Sequence, residues 1–336
     1  MIKICLISLK SYPLFVNKSA EYFGGAELQM SLIAKELAKD KQFRVNLITQ
    51  DYGQKKIVLK NKVKIIKTKI NPFDFFKVLK TIDADLYVER TVNVKVFLVA
   101  CFSKIFKKKF VYMVAHDWDV DNKWLYWLGL RFADLIVVQT QDQKTNLKKN
   151  FNLDSLIVPS LVQKNVIKKQ VKKEFVLWVG RADDWKRPFK YLNLVEKNLH
   201  EKFVMICREG RNKKLFNQVK TRASRFNNLK FFSVVPFEKI SEFFRKAKML
   251  VNTSIAEGVP NTFLQAGLNK TPVLSLKVNP DKYLDKYNCG VIANNLKILN
   301  NRKRVVVMGQ NHYNYVKKNH NFKNIDNFKR ELLKLL

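Results

Sequence analysis

Acidic side chains are scarce in this chain of 336 residues, with 28 Asp and Glu against 64 Lys and Arg, a formal net charge of +36. So one-sided a balance predicts a polyanionic partner. Anionic phospholipid, a phosphate-bearing lipid acceptor and nucleic acid are the options. The plain alternative is a composition rich in Lys, Asn, Phe and Ile together. Glycine (10) and proline (8) are also few, which argues against long disordered linkers. The longest apolar run, residues 96–102, is too short to cross a bilayer and is soon followed by Lys104. The first apolar run, residues 4–9, has strand length and precedes Lys10, so no signal peptide and a cytoplasmic location are expected. The four cysteines, Cys5, Cys101, Cys207 and Cys289, are far apart and lack metal-ligand spacing, and they are expected to be reduced core thiols.

The length suits two α/β domains better than one core. Short apolar runs at residues 3–9, 44–49, 63–67, 85–88, 110–114 and 135–138 alternate with amphipathic stretches. The alternation predicts a parallel sheet with helices on both faces. A basic, featureless crossing at residues 163–173 follows, and strands resume at 175–179, 203–206, 229–232, 249–251 and 272–276. The expected domains are residues 1–163 and 164–336. Residues 324–336 read as an amphipathic helix with Ile325, Phe328, Leu332 and Leu336 on one face. Ligands of such sheets lie off the carboxyl ends of the strands, so the loops there hold the candidate chemistry.

Four loops stand out. Gly24-Gly25-Ala26-Glu27 joins the first strand to a helix, and a glycine pair there lets backbone approach a phosphate or sugar closely. It is not a GxGxxG fingerprint, so no nicotinamide site is expected. His116-Asp117-Trp118-Asp119 follows a strand, and it lacks the glycine and glutamate of a calcium loop. Gly180-Arg181-Ala182-Asp183-Asp184-Trp185-Lys186-Arg187-Pro188 places an Arg and a Lys five apart after a strand. Such a pair can neutralise a diphosphate from two sides, the Arg as a planar fork and the Lys as a point charge. Last, residues 249–266 run from a buried strand through Glu257-Gly258-Val259-Pro260-Asn261-Thr262 into a helix. The free N–H groups of a helix start seat an anionic or oxygen-rich ligand, and Glu257 adds a carboxylate that accepts from hydroxyls.

The last of these loops resembles the acidic-residue motif of retaining GT-B glycosyltransferases, specifically the large family numbered 4, which reads Glu-Gly-x-Pro-Asn with a second Glu eight positions after the first. Here that position is Gln265. Gly180–Pro188 is similar to the family's Gly-Arg-x-x-x-x-Lys-Gly/Arg, and Gly24–Glu27 and His116 fall where relatives carry Gly-Gly-x-Glu and a His. Two departures lie at Cys207-Arg208-Glu209-Gly210, bulkier than the usual glycine-rich turn, and at Ser233-Val234-Val235-Pro236, where relatives often have a glycine against the nucleobase.

The resemblance implies the GT-B fold, two Rossmann-like domains facing each other across a cleft, with a closing helix that can cross back onto the first domain. It implies transfer of a sugar from a nucleotide-sugar donor, UDP- or GDP-linked, to an acceptor hydroxyl on a glycan or lipid-linked molecule, with retention and without metal or resident cofactor. Cell-surface polysaccharide or glycolipid synthesis is the family's usual setting. Arg181 and Lys186 would hold the diphosphate, Glu257 the sugar hydroxyls, and the N–H groups at Val259, Asn261 and Thr262 the phosphate or sugar. Gly24, Gly25 and Gly258 would shape the cleft, and His116 would sit near donor sugar and acceptor. Gln265 would replace the Glu that binds ribose, retaining one acceptor and losing the charge.

The competing reading is a non-catalytic GT-B scaffold that binds polyanions or a membrane surface. A nucleic-acid partner is not expected, because the aromatics follow apolar periodic patterns rather than alternating with Lys and Arg. A peripheral location on the inner face of the cell membrane is expected from Lys107-Lys108-Lys109 and from the aromatic stretch with Trp124, Tyr126 and Trp127.

Overall fold

The computed structural model describes residues 1–16, 24–90, 95–115, 124–162 and 171–336. The chain divides into two compact units, one of Met1–Gln163 with Phe322–Leu336 and one of Lys164–Asn321. The first is built on eight strands: β1 (Ile2–Ile7), β2 (Phe43–Gln50), β3 (Ile57–Lys60), β4 (Val63–Thr68), β5 (Leu86–Glu89), β6 (Lys109–Met113), β7 (Leu135–Val138) and β8 (Leu156–Ile157). Their order is β3-β4-β2-β1-β5-β6-β7-β8. All pairings are parallel except β3 with β4. Side chains alternate across a strand, and β1 shows the result. Ile4 and Leu6 enter one apolar cluster, and Cys5 and Ile7 enter the cluster on the opposite face. The closing helix Asn324–Lys334 belongs to this unit: Ile325, Phe328 and Leu332 join the Ile4 cluster, and Lys329 pairs with Asp40 at 3.4 Å.

The second unit carries β9 (Phe175–Arg181), β10 (Phe203–Arg208), β11 (Leu229–Phe232), β12 (Ala247–Asn252), β13 (Val273–Ser275) and β14 (Gly290–Ile292). The sheet is wholly parallel, in the order β11-β10-β9-β12-β13-β14. The chain therefore winds outward from β9 in one direction and from β12 in the other. The crevice at such a switch point is where doubly wound sheets bind ligands.

Two elements depart from the sequence pattern. The hairpin β3–β4 has no Asn-Gly signature; instead Asn61 and Lys62 both take left-handed backbone, φ 51° and 61°. The helix Arg302–Asn319 contains the run Val305-Val306-Val307, which carries no helical period, and Val306 and Val307 are exposed. This helix packs on the helix Asn261–Leu268 through glycines. A Cβ on Gly267 would lie 2.5 Å from Val316 Cγ2, and one on Gly309 would lie 2.3 Å from the Lys270 carbonyl. His312 is buried in the same contact, with Nδ1 2.8 Å from the Thr271 carbonyl and Nε2 3.2 Å from the Tyr283 hydroxyl. Burial pushes its pKa down to about 4. Among the described residues no helix is long and apolar enough to cross a membrane.

Candidate functional site

The loops after β9 and β12 meet at the switch point of the second unit. Arg181 ends β9 with its side chain 44% exposed, and its guanidinium lies 2.8 Å from Asp183 Oδ2. Asp183 is itself buried, and Oδ1 accepts from the Arg211 N–H at 3.2 Å. The backbone there runs so close that a Cβ on Gly210 would come within 2.4 Å of both the Ala182 carbonyl and Asp183 Oδ1. A glycine after β10 is thus required to seat the carboxylate that positions Arg181.

Lys186 closes the single turn Asp184–Lys186. Its ammonium lies 4.1 Å from the Trp185 ring centroid and 2.7 Å from Glu257 Oε1. The same oxygen accepts from Asn252 Nδ2 at 3.0 Å and Ser254 Oγ at 2.6 Å. Oε2 makes no hydrogen bond to the protein among the described residues. Burial is the strongest influence on Glu257 and raises its pKa, but the Lys186 charge and the hydrogen bonds from Lys186, Ser254 and Asn252 together outweigh it. The carboxyl therefore lies below the ordinary range and is ionised at neutral pH.

Trp178 and Arg187 each hold the first loop to Thr253 of the second. Gly180 leaves room for the Trp178 indole, whose ring atom Cη2 lies 2.8 Å from where a Cβ would stand. The indole N–H donates to Thr253 Oγ1 at 3.0 Å. Arg187 has left-handed backbone, φ 48°, and its Nε donates to the Thr253 carbonyl at 2.7 Å. A non-glycine residue in that conformation costs about 1–2 kcal/mol, which the side-chain anchor offsets.

The helix Asn261–Leu268 begins directly after Glu257-Gly258-Val259-Pro260, all four buried. Pro260 at its cap has no side-chain acceptor, so the first N–H groups are not covered by a capping side chain. Gln265 stands one turn further along, partly exposed, with its backbone carbonyl bonded to Asn269 Nδ2 at 2.8 Å.

Arg181, Lys186, Glu257, Gly258, Val259, Asn261, Thr262 and Gln265 are thus carried by two adjacent loops and one helix of the second unit. Gly24 and Gly25 belong to the first unit, at the start of the helix Gly25–Leu37. There the Gly24 N–H donates to Glu27 Oε2 at 2.8 Å, so a carboxylate folds back over the helix start and takes up one of its donors. His116 and the aspartates beside it lie outside the described residues. No group of three or more His, Cys, Asp or Glu among the described residues could hold a metal ion. Asp183, Trp178 and Thr253 organise the site and were not singled out by the sequence. The one signal was the pair of carboxylates, Asp183 and Asp184, between Arg181 and Lys186.

Residues 161–314 match the family model of glycosyl transferases group 1. No curated protein sequence matches the chain. Among solved structures, the chain is similar to a sucrose-phosphate synthase from Thermosynechococcus elongatus, with TM-score 0.80 and 13% identity over 100% of both chains. It is similar to an S. aureus TarM variant in complex with Fondaparinux, alpha-GlcNAc-glycerol and UDP, with TM-score 0.70 and 12% identity over 100% of this chain and 99% of that one. A third is WaaG, a glycosyltransferase involved in lipopolysaccharide biosynthesis, with TM-score 0.64 and 16% identity over 94% and 95%. These likenesses give the fold, which is GT-B, and residues 161–314 are similar to the glycosyl transferases of group 1.

Proposed function

We propose that the protein is a retaining glycosyltransferase that moves a sugar from a nucleotide diphosphate sugar to an acceptor hydroxyl without a metal ion. The observation that carries this reading is the pairing of Lys186 with Glu257 at 2.7 Å at the switch point of the second unit, one loop from Arg181. In the reaction the bond from the anomeric carbon to the β-phosphate oxygen breaks, and negative charge builds on the departing diphosphate. Arg181 and Lys186 stabilise that charge, and the N–H groups of Val259, Asn261 and Thr262 add to it; fixed donors of this kind need no reorganisation during the step. Glu257 accepts hydrogen bonds from sugar hydroxyls through Oε2, since Oε1 is held by Lys186, Asn252 and Ser254. Gln265 faces the ribose, and His116 the donor sugar and acceptor, as the family resemblance implies.

The TarM complex contains UDP, which supports a UDP-linked donor here, with GDP as the alternative base. The setting of WaaG supports an acceptor in cell-surface polysaccharide or glycolipid synthesis. We place the protein in the cytoplasm, peripheral on an anionic membrane surface. The test is calorimetric titration with UDP, GDP and ADP, repeated with Arg181→Ala. Binding of one nucleotide, lost in the variant, is the expected result. No binding of any of them at millimolar concentration would overturn the donor site and leave the non-catalytic scaffold.

A further inference from the structure

Phe75 and Leu79 of the helix Pro72–Ile82 pack on one face of the first sheet. Cys5, Ile7 and Ile48 are buried with Phe75 and Leu79. The same face carries a groove of about 580 Å³ that runs from Lys3, Arg44 and Lys64 at the amino ends of the strands to Asp51, Thr68 and Lys69 at their carboxyl ends. Its floor is cationic. Lys3 of β1 is in register with Arg44 of β2, Asn46 of β2 with Lys64 of β4, and Lys64 with Leu59 of β3. Adjacent like charges on one sheet face are unfavourable, and parallel sheets are normally covered on both faces. Lys56, Lys69 and Lys77 extend the positive lining, and among the described residues none of these six cations has an ion-pair partner within 4 Å. The two carboxylates of the groove are already engaged, Asp51 with Lys67 at 2.9 Å and Asp74 with the Asn71 amide at 2.8 Å.

The rim is apolar. Leu59 is 70% exposed and Phe73 80%, with Ile57 and Ile70 also exposed. A soluble anion needs the cations and has no use for these side chains; a bilayer interface uses both. By contrast, the lysine run at residues 107–109 is partly neutralised, with Lys108 2.7 Å from Asp83 and Lys109 3.8 Å from Asp134. On the aromatic helix the Arg131 guanidinium lies 4.0 Å from the Trp127 ring.

We propose that the groove over Lys3, Arg44 and Lys64 seats the phosphate-bearing head group of an anionic lipid and docks the first unit on a membrane. It belongs to the first unit, whereas the donor loops belong to the second, and it acts as a tether. The proposal rests on the peripheral location given above and is independent of the donor chemistry. The experiment is co-sedimentation at low salt with vesicles of phosphatidylglycerol in phosphatidylcholine, and with phosphatidylcholine alone. The wild type is expected to sediment only with the first. Arg44→Gln/Lys64→Gln is expected to partition roughly thirtyfold more weakly, each basic residue near an anionic leaflet being worth about fivefold, and Phe73→Ser to weaken it further. UDP titration of the same variants is expected to match the wild type, which shows that they fold and separates a failure here from a failure of the donor site. Lys190→Gln/Lys303→Gln removes equal charge from the second unit and is expected to leave sedimentation unchanged; an equal loss would overturn the groove in favour of diffuse charge. Binding of soluble tripolyphosphate or polyuridylate, lost in Arg44→Gln/Lys64→Gln and without vesicle sedimentation, would overturn the lipid assignment.

Discussion

Glu257→Gln isolates what the Lys186–Glu257 pair does. The Lys186 side chain is 17% exposed and that of Glu257 9%. Replacing the carboxylate by an amide leaves a largely desolvated ammonium facing a neutral group. Removing one member of a buried pair costs about 3–5 kcal/mol; the residual exposure of Lys186 sets the lower end, about 3 kcal/mol. For a unit the size of Lys164–Asn321, that lowers the thermal midpoint by roughly 6–12 °C. In Lys186→Met/Glu257→Gln the stranded charge is gone, and the midpoint is expected to recover to within about 4 °C of the wild type, a recovery of about 2 kcal/mol. UDP affinity is expected to fall in both variants, and in the double variant by roughly 10–150-fold, the worth of a charge-assisted hydrogen bond. Melting curves and calorimetry on the three proteins give both quantities. Glu257→Gln melting with the wild type would mean that the pair contributes no stability. A double variant that regained stability together with full UDP affinity would refute the assignment of Lys186 to the diphosphate.

Other perturbations test other parts. His312 has its pKa pushed down to about 4, below the ordinary 6.5, so the unfolded chain binds the proton more readily. Stability is then fully present above pH 6.5 and declines as pH falls from 6.5 to about 4, by about 3 kcal/mol in all; urea midpoints across that range should lose this slope in His312→Gln. Glu257 is depressed instead, so its contribution is present above the ordinary carboxylate pKa and is lost only as pH falls through the lower folded value; UDP titrations at pH 5 and 7 should therefore show Glu257 ionised at both. Gly210→Ala places a Cβ 2.4 Å from the Ala182 carbonyl and should cost about 1–3 kcal/mol while weakening UDP binding through displacement of Asp183 and Arg181. Gln265→Glu restores a charged acceptor on an otherwise unchanged helix and should tighten donor binding by up to about tenfold; loss of binding would refute its placement by the ribose.

The parallel sheets and the loops after β9 and β12 were legible because their signals are local. A short apolar run followed by Gly180-Arg181, or by Glu257-Gly258-Val259-Pro260, states both the strand and the turn. The helix Arg302–Asn319 was not legible, because its stability comes from close contact at Gly267 and Gly309 and from buried His312, all of them long-range facts. The hairpin β3–β4 was missed because Asn61-Lys62 achieves with a lysine the left-handed turn that glycine usually supplies. In the site, the charged residues could be named from sequence, but not their partners. That Asp183 holds Arg181 depends on Gly210, 27 positions away in the chain, allowing the backbones to touch.

The distribution of the scarce carboxylates connects the two sites. In a chain with 64 cationic side chains and 28 acidic ones, most cations have no acid available. Yet Arg181 and Lys186 each have one, and both of those carboxylates are buried. Pairing lowers the charge a ligand meets from a distance, so it works against simple attraction of anions. What it provides is placement: each cation is fixed before the ligand arrives, and the entropy of ordering a long side chain is lost during folding rather than during binding. The groove over Lys3, Arg44 and Lys64 shows the opposite arrangement, cations with no ion-pair partner among the described residues. That arrangement suits attraction to an extended anionic surface, where strength follows the number of charges and their exact positions matter little. The same excess of lysine and arginine is therefore used in two ways, and the carboxylates mark which cations must act at a defined atom.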